Sequence, residues 1–321
     1  MLFIAMKTAI LYNKNSNVVS FAEKVYERIR PRSEEFELIG LEVKRFNNGE
    51  LYVYCPENLR KKECFFIHDS SKDPCEWLTE LLLVNDMLKR ASASEVIDVL
   101  PHLFYSRQDR KDKPRVPISA KVIADLISLS ANRVITTDLH ATQIQGFYNI
   151  PLDALFTFHL AVKYLKEKHP EIIDNLVVVS PDVGGAHRAR SFAKRLNVEI
   201  ALIDKRREKA GEIAGMNVIG YIAGKNVILV DDMIDSGNTI MEAAKKLREK
   251  GARKVFVYAT HAVFSNQADK KLPEVFDKII VSDSIPRKYE SEKIETISLV
   301  DLYAEAIYRA KMGMSISELF S

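Results

Sequence analysis

One stretch in the second half of the chain limits what the whole chain can fold into. Residues 227–230 are four apolar, mostly β-branched residues, a pattern typical of a short buried strand. A polar loop follows, and then apolar residues recur at helical spacing as far as Gly251, which is placed to end a helix. The apolar run at residues 255–259 completes a strand–loop–helix–strand unit. Such a unit belongs to an α/β sheet, and open α/β sheets bind ligands at the carboxyl ends of their strands.

The loop of this unit points to a sugar phosphate. It consists of Asp235, Ser236, Gly237, Asn238 and Thr239. Unpaired N–H groups and the helix dipole favour a phosphate at such a helix N-terminus. Asp231 and Asp232 stand just upstream, where they would repel an anion but could accept hydrogen bonds from a vicinal diol. The alternative is that the carboxylates cap turns and Thr239 caps the helix, and the local pattern does not decide between the two.

Composition excludes several classes of function. The 321 residues suggest two domains of ordinary size, and 47% hydrophobic with 28% charged residues predicts a packed core. The net charge of +3 is too balanced to predict nucleic-acid binding, and no apolar run is long enough to span a membrane. Three cysteines without metal-type spacing favour a reducing cytoplasm.

Both halves of the chain alternate strands with helices, as a duplicated α/β domain would. In each half, carboxylates follow buried strands and precede helices. We expect a first domain at residues 1–160, a second at 161–300, and a C-terminal helix at 301–321 that packs back on the first. Residues 155–168 are expected to form one helix at the boundary.

A basic loop lies in the first half. Residues 107–115 contain five cations and are interrupted by Pro114, so they cannot form a core element. Arginine forks match phosphate oxygens, and the loop follows a strand, which favours a clamp for a triphosphate. The alternative is a solvated basic loop.

Two further segments are candidates for a functional role: a predicted hairpin and a predicted flap. Asn48 and Gly49 separate two alternating runs, which predicts a β-hairpin with Phe46 and Glu50 near its tip. An incidentally exposed aromatic side chain is the simpler interpretation of that tip. Residues 209–216 are polar with two glycines and are expected to form a mobile flap after a strand at 199–203.

Two further side chains follow buried strands. His140 is the best placed of the seven histidines for metal binding or proton transfer, although a lone loop histidine is usually structural. Asp182 precedes two glycines and a helix, which repeats the carboxylate-and-loop pattern.

Together these motifs resemble the ribose-phosphate diphosphokinases, also called phosphoribosyl pyrophosphate synthetases. The stretch at residues 227–240 resembles the phosphoribosyl-binding motif that this family shares with type I phosphoribosyltransferases. Three further stretches resemble family signatures: the ATP loop (Arg107-Gln108-Asp109-Arg110-Lys111), the metal-binding signature (Asp138-Leu139-His140-Ala141) and the pyrophosphate loop (Ser180-Pro181-Asp182). The resemblance runs from about residue 7 to the C-terminus.

The resemblance implies an α/β fold class of two tandem phosphoribosyltransferase-like domains, each a mostly parallel sheet flanked by helices. It implies Mg²⁺-dependent transfer of the pyrophosphoryl group of ATP to the anomeric hydroxyl of ribose 5-phosphate, giving phosphoribosyl pyrophosphate and AMP. It also implies a homo-oligomer with a dimer as its building block and a hexamer as one candidate assembly. Neither a nucleic acid nor a membrane is an implied partner.

The roles carried over by the resemblance fall into four groups. Those implied for ATP are Phe46, Asn48, Glu50, Arg107, Gln108, Asp109, Asp112 and His140, with the first three reaching ATP from a neighbouring subunit. Those implied for ribose 5-phosphate are Asp231, Asp232, Asp235, Ser236, Gly237, Asn238 and Thr239. His140 and Asp182 would position the metal. Lys205 and Arg207 would be the catalytic cations.

Three departures from the family pattern stand out. The phosphate loop usually reads Asp-Thr-small-Gly-Thr, whereas here the glycine is Gly237, one place earlier, and Asn238 follows it. We expect Asn238 to adopt the left-handed conformation in its place, because asparagine tolerates it best among non-glycine residues. Asn48 stands where many members carry Asp, and residues 68–77 match poorly.

Three other interpretations compete. A phosphoribosyltransferase that consumes phosphoribosyl pyrophosphate would not need the loop at 107–115. A regulatory subunit of reduced activity should have lost His140, Lys205 or the loop arginines, and all of them are present. A nucleic-acid-binding module would use the same basic loop but conflicts with the balanced charge.

Overall fold

The computed structural model describes residues 7–209 and 212–320, with the backbone alone for 205–209 and 212–215. The chain divides into two compact units. The first contains the residues up to Leu155, Ser284–Arg287 and the chain from Leu299 onward, and the second contains Phe156–Asp283 and Lys288–Ser298.

Each unit is built on one seven-stranded sheet. The strands of the first unit are β1 (Thr8–Asn13), β2 (Phe36–Arg45), β3 (Leu51–Tyr54), β4 (Glu63–Ile67), β5 (Glu95–Leu100), β6 (Arg133–Thr137) and β7 (Leu152–Leu155). Those of the second are β8 (Leu176–Ser180), β9 (Glu199–Lys209), β10 (Glu212–Ile219), β11 (Asn226–Ile234), β12 (Lys254–Ala262), β13 (Lys278–Ser282) and β14 (Ile294–Ile297).

The two sheets have the same topology. The first follows the order β3-β2-β1-β4-β5-β6-β7, and the second follows β10-β9-β8-β11-β12-β13-β14. In each, only the edge pair β2–β3 or β9–β10 is antiparallel among the described strands, and the other ladders are parallel. The fold class predicted from the sequence is therefore confirmed.

Helices cover the faces of both sheets. They are α1 (Val19–Ile29), α2 (Pro74–Arg90), α3 (Ser119–Ser130), α4 (Phe158–Lys168), α5 (Pro170–Ile173), α6 (Ala186–Leu196), α7 (Asn238–Glu249), α8 (Ala268–Val275) and α9 (Val300–Met312). The central strands are buried on both faces; in β8, for example, all five residues are buried. Burial on both faces explains why the sequences of these strands are nearly continuous apolar runs.

Helix α9 packs on α1 within the first unit. The ring of Tyr303 meets that of Phe21 edge to face at 5.7 Å, and its hydroxyl hydrogen-bonds Thr137. Arg28 pairs with Asp301 at 2.7 Å on the exposed side. Apolar burial rather than this exposed ion pair carries the contact, because exposed pairs contribute at most about 1 kcal/mol.

Several elements differ from the sequence prediction. Leu155 belongs to strand β7, which the prediction missed, and the helix begins at Phe158 instead. Strand β9 runs on to Lys209 rather than ending near residue 203, because β10 pairs with its charged half. The expected flap at 209–216 is therefore mostly strand, apart from residues 210 and 211, which lie outside the described chain.

Among residues 7–209 and 212–320, every helix is too short or too polar to cross a membrane.

Candidate active site

Asp231 and Asp232 lie within β11 rather than after it, in the half of the strand nearest its carboxyl end. Asp232 is buried, whereas Asp231 is half-buried. The Arg188 guanidinium lies 3.3 Å from Asp232 Oδ1 and 3.6 Å from Asp231 Oδ1. The Asp232 backbone N–H donates to Asp231 Oδ1 at 2.9 Å. The backbone thus helps to orient the pair, and the Arg188 guanidinium compensates its charge.

Burial and the adjacent Asp232 carboxylate raise the pKa of Asp231, and Asp182 adds to the effect. The Arg188 guanidinium opposes it. Two neighbouring carboxylates that are partly withdrawn from water resist holding two full charges. A ligand that donates hydroxyl hydrogens to these oxygens would relieve that repulsion without adding negative charge.

The loop after β11 has the geometry of an anion site. Gly237 is the N-cap of α7 with φ +74°, and none of the described side chains caps the helix. A Cβ on Gly237 would lie 3.2 Å from Leu272 Cδ2, so the position also lacks room for a side chain. The N-cap residue therefore offers no side-chain acceptor to the first N–H groups of α7, which face the loop.

Two expectations about this loop were wrong. Asn238 does not take the left-handed conformation; it is the first residue of α7, and Gly237 alone supplies the positive φ there. Thr239 is the second helical residue rather than a cap, so the capping alternative also fails. Asp235 and Ser236 are half-buried at the start of the loop.

The loop around Asp182 stands beside this site in the second unit. Asp182 follows β8 and is exposed, and its Oδ1 accepts the Gly185 N–H at 2.8 Å. Ser180 Oγ closes the turn by donating to the Asp182 carbonyl at 2.7 Å. This turn starts α6, which places Arg188 against the acid pair.

The resemblance to the pyrophosphate loop extends to Arg188, but sequence reasoning predicted no contact between Arg188 and the acid pair. The signal that could have found it is the need for a counter-charge: two adjacent carboxylates in a buried strand require a nearby cation. The partner is 44 positions away in the chain, and no local pattern identifies which of the 47 lysines and arginines it is.

In the first unit, the basic loop is fixed at several points. The Gln108 carbonyl accepts the Ala120 N–H at 3.2 Å, and Gln108 Oε1 accepts Ser119 Oγ at 2.6 Å. Asp109 Oδ2 accepts Gln143 Nε2 at 3.2 Å. Gln108 and Asp109, both predicted to bind ATP, thus also hold the loop in place.

The remaining residues of this loop point outward. Arg107 and Asp112 are exposed. Tyr105, which precedes the cations, and Arg115, the last of them, both have φ +64°. Left-handed backbone costs a non-glycine residue about 1–2 kcal/mol, so the surrounding contacts must maintain this loop shape.

His140 is exposed in the turn after β6. The turn begins with Asp138, which is buried with φ +32° and whose N–H donates to the Leu155 carbonyl at 2.9 Å. The short 3₁₀ helix Thr142–Phe147 follows. The strained Asp138 thus directs the chain so that His140 faces solvent at the carboxyl edge of the sheet.

The predicted hairpin is confirmed as β2–β3, with residues 46–50 at its tip. Phe46 is 55% exposed and meets Tyr52 edge to face at 5.7 Å. Asn48 Oδ1 accepts the Glu50 N–H at 3.2 Å, and Gly49 between them has φ +91°. The tip is a defined turn that presents an aromatic face to its surroundings.

Lys205 and Arg207 lie in β9, paired with Met216 and Ile213 of β10. Their side chains lie outside the part of the chain that is described, so their contacts stay predictions. Within the described part, no three His, Cys, Asp or Glu side chains lie close enough together to hold a metal ion.

Comparison with known proteins places this chain in a family. The model for the N-terminal domain of ribose phosphate pyrophosphokinase matches residues 10–130, and that for the phosphoribosyl synthetase-associated domain matches residues 206–321.

Curated relatives match over most of their length. Ribose-phosphate pyrophosphokinase of Campylobacter jejuni is 45% identical over 280 residues, 87% of this chain and 90% of that one. The protein of that name from Thermosipho africanus is 43% identical over 319 residues, 99% of both chains. Among solved structures, the phosphoribosylpyrophosphate synthetase of Mycobacterium smegmatis superposes with a TM-score of 0.86 at 33% identity, covering 96% of this chain and 100% of that one. The chain described here belongs to the ribose-phosphate pyrophosphokinase family.

Proposed function

We propose that this chain transfers the pyrophosphoryl group of ATP to the anomeric hydroxyl of ribose 5-phosphate, giving phosphoribosyl pyrophosphate and AMP. One observation carries the proposal: a hydrogen-bonded acid pair at the carboxyl half of β11 leads directly into a helix N-terminus whose N-cap is glycine. A ligand with hydroxyls at one end and a phosphate at the other fits both parts. Family membership supplies the reaction.

In the second unit, Asp231 and Asp232 would accept hydrogen bonds from the ribose hydroxyls. The phosphate would lie on the N–H groups of residues 235–239 at the start of α7, where the helix dipole favours it. Arg188 would share its charge with the acid pair and so oppose the rise in the pKa of Asp231, which favours the ionised form. These contacts orient the acceptor; they do not break bonds.

In the first unit, Arg107, Gln108, Asp109, Asp112 and His140 would bind ATP, with Arg107 matching phosphate oxygens. Phe46, Asn48 and Glu50 would bind ATP of a neighbouring subunit, with Phe46 against the adenine ring. The 55% exposure of Phe46 supports this role, because an exposed aromatic ring on a defined turn is available to a planar base.

Pyrophosphoryl transfer depends on positioning and charge neutralisation rather than on covalent catalysis. Lys205 and Arg207 would neutralise the charge that develops as the anomeric oxygen attacks the β-phosphorus and AMP leaves. Their position on a β-ribbon at the sheet edge supports a role in covering the reacting groups.

Magnesium fits the residues assigned to it. Mg²⁺ binds one or two carboxylates plus substrate phosphates and keeps several waters, so it needs no cluster of three protein ligands. Asp182 supplies a carboxylate and His140 would act through water. When bound, the ion would neutralise phosphate charge. We further propose a cytoplasmic homo-oligomer built from dimers.

The test is to incubate the chain with ATP, ribose 5-phosphate and Mg²⁺ and to follow AMP by chromatography and the new pyrophosphate ester by ³¹P NMR. Stoichiometric AMP and phosphoribosyl pyrophosphate are expected. ATP left intact would overturn the proposal. Pyrophosphate released only when a free purine or pyrimidine base is added to phosphoribosyl pyrophosphate would identify a phosphoribosyltransferase instead.

A further inference from the structure

The basic loop of the first unit begins with a strained turn that α2 supports. Tyr105 has φ +64°, and its hydroxyl lies 3.7 Å from Cys75 Sγ in the first turn of α2. Phe104 precedes it and is half-buried. Arg107 follows two residues later, so the direction in which this cation leaves the sheet depends on the shape of the turn.

Trp77, on α2, contacts this turn through Phe104. Its ring is fully buried and meets the Phe104 ring edge to face, with centroids 5.3 Å apart at 66°. The His102 ring also meets the Phe104 ring edge to face, at 4.8 Å and 75°. Phe104 thus contacts two rings, one from α2 and one from its own strand exit.

A rigid anchor lies beneath Trp77. His68 stacks on the Trp77 ring at 5.4 Å, and its Nε2–H donates to the Trp77 carbonyl at 2.8 Å. Burial lowers the pKa of His68, so the ring is neutral and this tautomer is maintained. Glu80, one turn further along α2, is fully buried and pairs with Lys72 at 2.8 Å and with Asn13 Nδ2 at 3.1 Å.

A second link joins the same two segments. The His102 N–H donates to Ser70 Oγ at 3.1 Å, which ties the exit of β5 to the exit of β4. The stretch of residues 68–77 that departs from the family pattern is therefore the stretch that holds the start of the basic loop.

We propose that Trp77 is a positioning residue for ATP, acting through Phe104 on the loop that carries Arg107. This inference rests on the proposed function, because it takes the basic loop as the ATP loop. A purely structural role for Trp77 would change stability alone, whereas a positioning role changes the affinity for ATP and leaves ribose 5-phosphate binding unchanged.

The experiment compares steady-state kinetics of Trp77→Leu, Phe104→Leu and the double variant. Each single change should raise KM for ATP roughly three- to tenfold, which corresponds to about 0.7–1.4 kcal/mol. The values of kcat and of KM for ribose 5-phosphate should stay within about twofold of those of the unchanged chain. The double variant should be no worse than either single variant, because both remove the same contact. Trp77→Phe, which keeps a ring facing Phe104, should restore KM for ATP.

Phe21→Leu is the matched control. Phe21 is a buried aromatic of the same unit that makes an edge-to-face contact at 5.7 Å, but with Tyr303 of α9. It should lower Tm as Trp77→Leu does and leave KM for ATP unchanged. If Trp77→Leu does not fold, Phe104→Leu carries the test, since Phe104 is only half-buried.

An unchanged KM for ATP in Phe104→Leu, with an active unsubstituted chain, would overturn the positioning role alone. Strictly additive effects in the double variant would do the same. An unsubstituted chain that releases no AMP would instead overturn the proposed function, and the positioning role with it.

Discussion

The two units repeat one topology but treat one helix N-terminus in opposite ways. In the first unit, β4 leads to α2, whose N-cap Asp73 accepts the Cys75 N–H at 2.9 Å, and Glu76 lies in the first turn. In the second unit, the matching strand β11 leads to α7, which has a glycine N-cap and no acidic residue in its first turn.

That difference makes the second position suited to a phosphate and the first position unsuited to one. An Asp N-cap satisfies the free N–H groups and places a negative charge at the positive end of the helix. A glycine N-cap leaves the N–H groups open and allows close approach of an anion. The first unit uses this position for stability, and the second unit leaves it available.

The cores of the two sheets differ as well. In the fourth pair of the β4–β5 ladder, Phe66 lies opposite Asp98, whereas the fourth pair of β11–β12 is Leu229 and Val257. Asp98 is fully buried, and Asn85 Nδ2 donates to it at 3.0 Å. Only the first unit therefore places a carboxyl group at this point of its core.

The largest expected effect is a pH dependence of the free energy of unfolding that comes from Asp98. Burial raises the pKa of Asp98 to about 7, above its unfolded value, so the folded chain binds more protons than the unfolded chain between about pH 4 and 7. The free energy of unfolding should therefore fall as pH rises through this range, by on the order of 4 kcal/mol at most from this group. Urea unfolding at several pH values should show that Asp98→Asn lacks this decline. Parallel curves for the two chains would contradict the assignment.

The next prediction concerns the hairpin β9–β10, which occupies the sheet edge that β2–β3 occupies in the first unit. Lys205→Ala should lower kcat by roughly 10²-fold, as the loss of one preorganised donor does elsewhere. Lys209→Ala, on the same strand, is the matched control and should retain kcat. The measurement is AMP release at saturating ATP and ribose 5-phosphate; a kcat near that of the unchanged chain would remove Lys205 from the mechanism.

The third prediction concerns a substitution that gives α7 the Asp N-cap that α2 has in the first unit. Gly237→Asp should raise KM for ribose 5-phosphate by roughly 30-fold, because it adds a like charge beside the phosphate and forces a side chain into φ +74° against Leu272. Gly237→Asn separates strain from charge and should have a smaller effect. Asp73→Gly, the reverse change in the first unit, should leave this KM unchanged. Equal effects of Asp and Asn would show that charge is not the cause.

The smallest expected effect concerns the counter-charge of the acid pair. Arg188→Gln should raise KM for ribose 5-phosphate roughly three- to tenfold, because the carboxylates lose the cation that favours their ionised form. Arg188→Lys keeps the charge and should recover part of the affinity. Arg190→Gln, exposed on the same helix, serves as the control. An unchanged KM in Arg188→Gln would mean that the backbone alone orients the pair.

Most central strands were predictable because a strand buried on both faces is a short apolar run, whatever surrounds it. The elements that the sequence prediction missed depend instead on pairing with residues that are distant in the chain. Residues 204–209 are polar and charged, and they extend β9 only because β10 provides a partner. Strand β7 has only four residues, too few for a clear local pattern; the prediction left the first three unassigned and gave Leu155 to the following helix, whereas pairing with β6 makes all four a strand.

The site residues divide in the same way. The order of Asp231, Asp232 and the loop to Thr239 suggested a sugar-phosphate motif, and the resemblance of the other motifs, rather than local chemistry, decided against the capping alternative. The left-handed residue was misassigned to Asn238, because the backbone conformation depends on where α7 begins and on the packing of Leu272 against Gly237.

By itself, the sequence determined the fold class, the family resemblance and the order of the motifs, since these follow from residue types and spacings along the chain. Only the tertiary structure decided that Arg188 compensates the acid pair, that Trp77 supports the turn before Arg107, and that Asp98 is buried. Each of these depends on side chains brought together from separate elements. Charge compensation, ring packing and desolvation act through space, and spacing along a chain does not encode which distant residue will supply them.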